Sequence, residues 1–225
     1  MGFSYPVTGQ LVRTGAERAT LVRRTYGLVF ISIFFTIAGT ALGFSQPGLL
    51  EFSARHPFIM MLITFAPLLM ATRVRTQFPA NVGFVLLFTL VEGVAIAPFL
   101  AWFSRNNPDL IWQSGALTLS TFGVLTAYTW VSRRDFSALG SFFTVGLWVL
   151  IATSLLNMFF QSSLASLWIA GATVLVFSGL LIFDTWRLRN VFGPDDYVMA
   201  AVQIYLDLLN MFLAIVQLLG GGRRN

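Results

Sequence analysis

The run Ala200-Ala-Val-Gln203-Ile-Tyr-Leu-Asp207-Leu-Leu-Asn210-Met-Phe-Leu-Ala-Ile-Val-Gln217 decides how the rest of the chain is read. Ala200, Gln203, Asp207, Asn210, Ala214 and Gln217 recur at alternating steps of three and four, which puts them on one face of a helix. The rest of that helix is Val, Ile, Leu, Met and Phe, with one Tyr. A carboxylate turned toward lipid is costly, so this polar stripe must face other helices or a water-filled path. Asp207 is therefore a candidate functional residue, with Gln203, Asn210 and Gln217 beside it.

Composition agrees. Of 225 residues, 56% are hydrophobic and only 10% are charged, and the mean hydropathy is +0.78. A water-soluble domain of this size could not cover its surface with so few charges. The chain reads as all-α, a polytopic membrane bundle. Cysteine is absent, which excludes disulfides, thiol chemistry and Cys-based metal sites. The net charge of +5 comes from Arg residues in short loops between apolar spans. That is the pattern of membrane topology, not of nucleic-acid binding. Residues 1–24 lack a short apolar core with a small-residue cleavage site, so the first span is expected to stay in the mature protein.

Seven hydrophobic segments stand out: Tyr26–Phe44, Pro57–Thr72, Asn81–Phe103, Leu110–Val131, Leu139–Phe160, Leu164–Trp186 and Tyr197–Leu219. Most approach the ~20 residues that cross a bilayer; the second is the shortest. The expected division is an arm over residues 1–25, a seven-helix transmembrane domain over 26–220 and a polar tail over 221–225. Arg13, Arg18, Arg23 and Arg24 precede the first segment. Arg73 and Arg75, Arg133 and Arg134, and Arg187 and Arg189 follow the second, fourth and sixth. The opposite loops hold Arg55 and Arg105. The positive-inside rule then places the N-terminus in the cytoplasm. A full crossing by the seventh segment leaves Arg223 and Arg224 outside, against the rule; a re-entrant segment returns them. The early loops dominate orientation, which favours the full crossing.

A second carboxylate ends segment six, in Phe183-Asp184-Thr-Trp-Arg187-Leu-Arg189. Gly193-Pro194-Asp195-Asp196 then breaks the chain and opens segment seven, with the acids at its positive end. Asp184 and Asp207 each lie about 11 residues from this turn, or ~17 Å along a helix. Antiparallel neighbours would hold both carboxyls at one height. Two such groups in a low-dielectric interior resist ionising together and titrate as a coupled pair. With one proton between them they make a strong O–H···O bond tying the two helices. Without it they repel, and their oxygens suit a hard cation such as Ca²⁺. The competing reading is local: Asp184 pairs with the nearby Arg187 or Arg189, and each Asp merely satisfies a neighbouring backbone group.

Phe183-Asp184-Thr185 and the Ala-Ala-x-x-x-Tyr205-Leu206-Asp207-x-x-Asn210-x-Phe212-Leu213 run resemble the Bax inhibitor-1 (transmembrane Bax inhibitor motif) family, most closely its bacterial inner-membrane branch. Arg24-Thr-Tyr26-Gly, Phe88-Thr89…Gly93…Pro98, Arg133-Arg134-Asp135-Phe136-Ser137 and Asn157 also fit, and the resemblance covers residues 26–220. It implies a bundle of seven transmembrane helices with the last helix central. It also implies a pH-sensitive calcium leak governed by an aspartate pair, which falls on Asp184 and Asp207. A membrane-bound ATP-dependent protease is implied as a partner. An arginine near the second helix engages one aspartate in relatives, for which Arg73 and Arg75 are the candidates. Glu92 departs from the family pattern. It adds a third intramembrane carboxyl, either a relay or cation ligand acting with the pair, or a neutral side chain bonded to Thr89 or another helix.

Enzymatic readings have little to rest on. The single histidine, His56, precedes Pro57 in a loop and reads as a surface residue. No metalloprotease His-Glu-x-x-His helix or Gly-x-Ser-x-Gly elbow is present. An intramembrane aspartyl protease also pairs two aspartates, but needs Gly-x-Gly-Asp where this chain has Ile204-Tyr-Leu-Asp207. The leading expectation is a non-enzymatic cation leak with no resident cofactor. The alternative is a non-conducting adaptor that docks a protease or other partner through residues 1–24. Gly39-Thr-Ala-Leu-Gly43 marks a close helix contact, expected inside the bundle.

Overall fold

The structure, a computed structural model, describes residues 15–105 and 107–221. Within them the chain is helical, with no strand. The helices are α1 (Gly15–Ser45), α2 (Pro47–Arg55), α3 (Pro57–Arg73), α4 (Ala80–Ser104), α5 (Leu110–Val131), α6 (Ser137–Phe160), α7 (Ser163–Asn190) and α8 (Tyr197–Gly221), the last preceded by a 3₁₀ turn at Pro194–Asp196. Proline opens α2, α3 and the 3₁₀ turn, where its missing N–H has no helical partner to lose. Ser162 caps α7 by accepting from the Ala165 N–H at 3.2 Å. Asn157 ties the end of α6 to this cap, accepting from the Ser162 N–H and donating to Ser166 Oγ at 2.7 Å.

Five described helices are long and apolar enough to cross a membrane: α1, α4, α6, α7 and α8. α2 and α3 together make a sixth, bent by 101° at His56. Sequence reading missed α2 and took α3 alone as a span, yet α3 has only 17 residues. The seventh expected span, α5, falls below the others in apolarity because Ser114, Thr118, Ser120, Thr121, Thr126 and Thr129 run along it. The Thr118 and Thr129 hydroxyls return to their own helix, donating to the Ser114 and Leu125 carbonyls at 2.8 Å. α1 begins at Gly15, so residues 15–25 of the expected arm are already helix. Arg13, Arg223 and Arg224 lie outside the described residues. His56 is exposed against the Phe52 ring, as a surface histidine should be.

α8 packs against α7, α1, α5 and α4. Two-thirds of its apolar stretch (67%) is buried, against 11% for α6, which leans on α7 and presents Phe142, Trp148, Leu155 and Phe159 outward. A helix that carries a buried carboxylate and a polar stripe must be covered by its neighbours, and α8 is. It also runs unbroken for 25 residues.

Small residues fix the closest contacts. A Cβ on Gly39 would overlap the Leu90 carbonyl, one on Gly93 the Thr36 carbonyl, and one on Gly43 would stand 2.6 Å from the Ala97 methyl. Gly39-x-x-x-Gly43 on α1 thus meets Gly93-x-x-x-Ala97 on α4, inside the bundle as expected, and Thr40 Oγ1 donates to the Gly93 carbonyl at 3.0 Å. α6 and α7 interlock reciprocally: Gly140 receives the Phe183 ring and Gly179 the Phe143 ring. Gly93→Leu should lower stability by about 1–3 kcal/mol through overpacking. Gly27→Ala on α1, where an added Cβ meets nothing within 4 Å, should leave it unchanged. Thermal unfolding midpoints in detergent micelles measure both.

Candidate functional site

α7 and α8 form an antiparallel hairpin whose turn is held by its own backbone. The Val191 and Phe192 N–H groups donate to the Arg187 carbonyl at 2.7 and 3.0 Å, closing α7. The Asp196 carboxylate accepts from the Gly193 N–H at 2.8 Å and fixes the entry to α8. From this turn the two helices pack against each other, and Gln203, Asp207 and Gln217 of the α8 stripe meet α7.

The hairpin brings the predicted pair together. The Asp184 and Asp207 side chains lie within hydrogen-bonding reach of each other. They are 7% and 4% exposed, so neither bathes in solvent or lipid. Asp207 Oδ2 is buried and receives no hydrogen bond from a protein donor. The equal spacing of the two acids from the Gly193-Pro194 turn thus translates into contact.

Arg187, three residues after Asp184, completes the group. Its Nη1 donates to Asp184 Oδ1 and to Gln203 Oε1, both at 3.2 Å, and so spans the two helices. Its guanidinium lies 4.5 Å from the Phe192 ring centre and 5.4 Å from that of Phe183, a cation–π setting that holds a planar charge in place. Asp184 therefore meets Arg187 and Asp207 together. Arg73 and Arg75, the expected engaging arginines, do not reach the pair. They end exposed at the foot of α3, where the Arg75 carbonyl accepts from Asn81. The signal for Arg187 was its i,i+3 spacing from Asp184, which shares a helix face by geometry alone.

The rest of the stripe divides. Asn210 donates to the Leu206 carbonyl of its own helix at 2.8 Å. Gln217 reaches the Ser166 carbonyl on α7 at 3.5 Å. Ser178 on α7 touches Met211 Sδ at 3.6 Å. Glu92 does not join the pair. It lies on α4 within electrostatic range of the Tyr205 hydroxyl, and Tyr205 precedes Asp207 by two positions, about 200° around the helix. Nor does Thr89 bond Glu92; its hydroxyl donates to the Leu86 carbonyl at 3.1 Å. Arg189, the other expected partner of Asp184, turns elsewhere: its Nη1 donates to the Thr129, Trp130 and Ser132 carbonyls and satisfies the end of α5.

Among the described residues, no three or more His, Cys, Asp or Glu side chains cluster as a metal site. Ca²⁺ takes about six to eight oxygen ligands. Two carboxyls with a guanidinium against one of them do not fit a resident calcium ion.

The chain matches the protein family described as inhibitor of apoptosis-promoting Bax1 over residues 18–225. It is 31% identical over 207 residues to Bax inhibitor 1 of Schizosaccharomyces pombe, across 90% of this chain and 77% of that one. It is 30% identical over 205 residues to Protein lifeguard 4 of Mus musculus, across 90% and 85%. An uncharacterized membrane protein of Vibrio cholerae is 32% identical over 216 residues, across 95% and 94%. With its apolar helices and its paired aspartates on the last two of them, the chain belongs to the Bax inhibitor family of membrane proteins.

Proposed function

We propose that this protein is a membrane leak for cations, with Ca²⁺ as the ion carried, and that a proton shared by Asp184 and Asp207 keeps it shut. The observation that carries this reading is the meeting of the two buried carboxyls, with Asp207 Oδ2 lacking a protein donor. Leaving such an atom unsatisfied costs about 1–3 kcal/mol, more if it is charged. A proton between the two carboxyls meets that need and bonds α7 to α8.

Loss of the proton turns attraction into repulsion. At a separation of ~4 Å and an effective dielectric constant of ~20, like charges repel by about 4 kcal/mol. The helices part, and the freed oxygens line a path that suits a hard cation in passage. Arg187 then holds the Asp184 carboxylate, and Gln203 keeps Arg187 in register. Other charges stand back from the pair. α5 carries none, α4 carries only Glu92 on the Tyr205 side, and those of α1 (Glu17, Arg18, Arg23 and Arg24) lie in its first turns.

The same reading takes α1, the bent α2–α3 pair, α4, α5, α6, α7 and α8 as seven crossings around a central α8. The N-terminus faces the cytoplasm of a bacterial inner membrane. The Arg-rich ends of α3, α5 and α7 support this orientation.

In liposomes holding the purified protein, Ca²⁺ flux should rise about tenfold or more from acidic to alkaline pH, since each ~1.4 kcal/mol of repulsion shifts the open population tenfold. Asp207→Asn should abolish that response. Equal flux and equal pH dependence in the variant would refute the latch, and a protein tight to every cation would favour a non-conducting adaptor instead. Arg187→Gln should move the flux profile toward higher pH, because the guanidinium no longer steadies ionised Asp184. Since the chain has no cysteine, single Ser137→Cys and Ser163→Cys variants report topology directly. An impermeant maleimide should label position 137 from the cytoplasmic side and position 163 from the opposite side.

A further inference from the structure

α1 has completed a crossing before α2 begins. From Tyr26 to Ser45 it runs about 20 residues, or ~30 Å, the thickness of the hydrocarbon layer. Near its end Gly43 stands against Ala97 of α4, so α2 starts beside the last turns of that helix. Gln46-Pro47 closes α1 and opens α2, whose nine residues pack on α4 and α1. α3 leaves at His56, bent from α2 by 101°. It packs along α4 and turns Phe58, Leu62, Phe65 and Leu69 outward at steps of four, three and four, a stripe made for lipid. With α3 running through the membrane beside α4, α2 is left close to the membrane plane.

The residues of α2 divide around its axis in three. Ser53 is buried and Leu49 and Leu50 are half-buried, so this face meets the bundle. Glu51 and Arg55 project from the opposite face, both exposed and paired at 2.6 Å. Phe52 lies between the two faces, about 100° from Ser53 and from Glu51. It is exposed, and its ring centre lies 5.1 Å from that of His56. An exposed ion pair is costly in hydrocarbon, and an exposed phenyl ring is costly in bulk water. The boundary between headgroups and acyl chains satisfies both.

We propose that α2 is an interfacial helix. It lies flat in the membrane surface at the face where α1 ends, with Phe52 set into the acyl boundary and Glu51, Arg55 and His56 among the headgroups. Its partner is the lipid surface, and the contact continues the outward apolar faces of α1 (Leu42 and Phe44) and α3 (Phe58 and Ile59). The crossing assigned to the α2–α3 pair then belongs to α3 alone, whatever ions the bundle conducts and whichever face is cytoplasmic. The 17 residues of α3 span ~25 Å, short of the ~30 Å hydrocarbon. A short crossing is met by local thinning of the bilayer and by flanking residues that reach the interface, and α2 is such a flank.

Since the chain has no cysteine, nitroxide labels on single-Cys variants of the full-length protein measure depth in phosphatidylcholine vesicles, from collisions with oxygen and with a water-soluble nickel chelate. Gly48→Cys, Phe52→Cys and Arg55→Cys fall within an arc of about 60° on α2, and an added Cβ at Gly48 meets nothing within 4 Å. The three labels should report one shallow depth, within about 4 Å of each other, where a helix along the membrane normal would separate positions 48 and 55 by about 10 Å. Labels from Phe58→Cys, Leu62→Cys, Phe65→Cys and Leu69→Cys should pass through the bilayer midplane, which checks the α3 crossing independently. Circular dichroism and gel filtration confirm that each variant remains folded. A depth gradient that runs on from α3 through positions 55, 52 and 48 would overturn the interfacial helix and leave the crossing intact. Nickel collisions at position 52 as frequent as those of an Asp195→Cys control would place α2 in water and overturn it as well.

Discussion

The contact between Asp184 and Asp207 governs how the last two helices stand. Lipid tails are as apolar as Leu, so two hydrophobic helices in a membrane gain little from hiding leucines against each other. Register comes from packing detail and from polar groups that must not face lipid. In the α7–α8 hairpin the second requirement is concentrated near one level, where two carboxyls, Arg187 and Gln203 meet within about two turns of each helix. A slip of one residue in the hairpin would rotate Asp207 away from Asp184 by about 100° and leave both acids without their shared partner. The turn at Gly193-Pro194, held by Asp196, prevents that slip.

Close backbone approach supplies the first requirement. The α1–α4 seam is made by glycines that leave no room for a Cβ, and the α6–α7 seam by glycines that each receive a Phe ring. These seams differ in kind. Backbone meets backbone between α1 and α4, which brings Thr40 to the Gly93 carbonyl and Thr36 to Tyr205. Ring meets backbone between α6 and α7, which leaves α6 an outer helix with its other faces toward lipid. The first seam places polar groups deep in the bundle, and the second only anchors a wall.

α8 thereby presents two polar faces to two different neighbours. One carries Gln203 and Asp207 toward α7. The other carries Tyr205 toward α1 and α4. The helical period separates them by about 200°, so the third acid, on α4, stays apart from the aspartates.

The sequence by itself determined the class of the protein, the number of long apolar helices to within the ambiguity of α3 and α5, the polar face of α8, and a spacing that permits Asp184 to meet Asp207. These follow from composition, from the 3.6-residue period and from symmetry about one short turn, all of which are local. Only the tertiary structure decided that Asp184 and Asp207 do meet, that Arg187 and not Arg73 or Arg75 stands by the pair, that Gly39 and Gly43 meet Gly93 and Ala97, that Glu92 stays apart from the pair, and that α2 bends away from α3. The period tells which side of a helix is polar but not which helix lies opposite. That choice depends on the steric fit of faces far apart in the chain, and no local pattern records it.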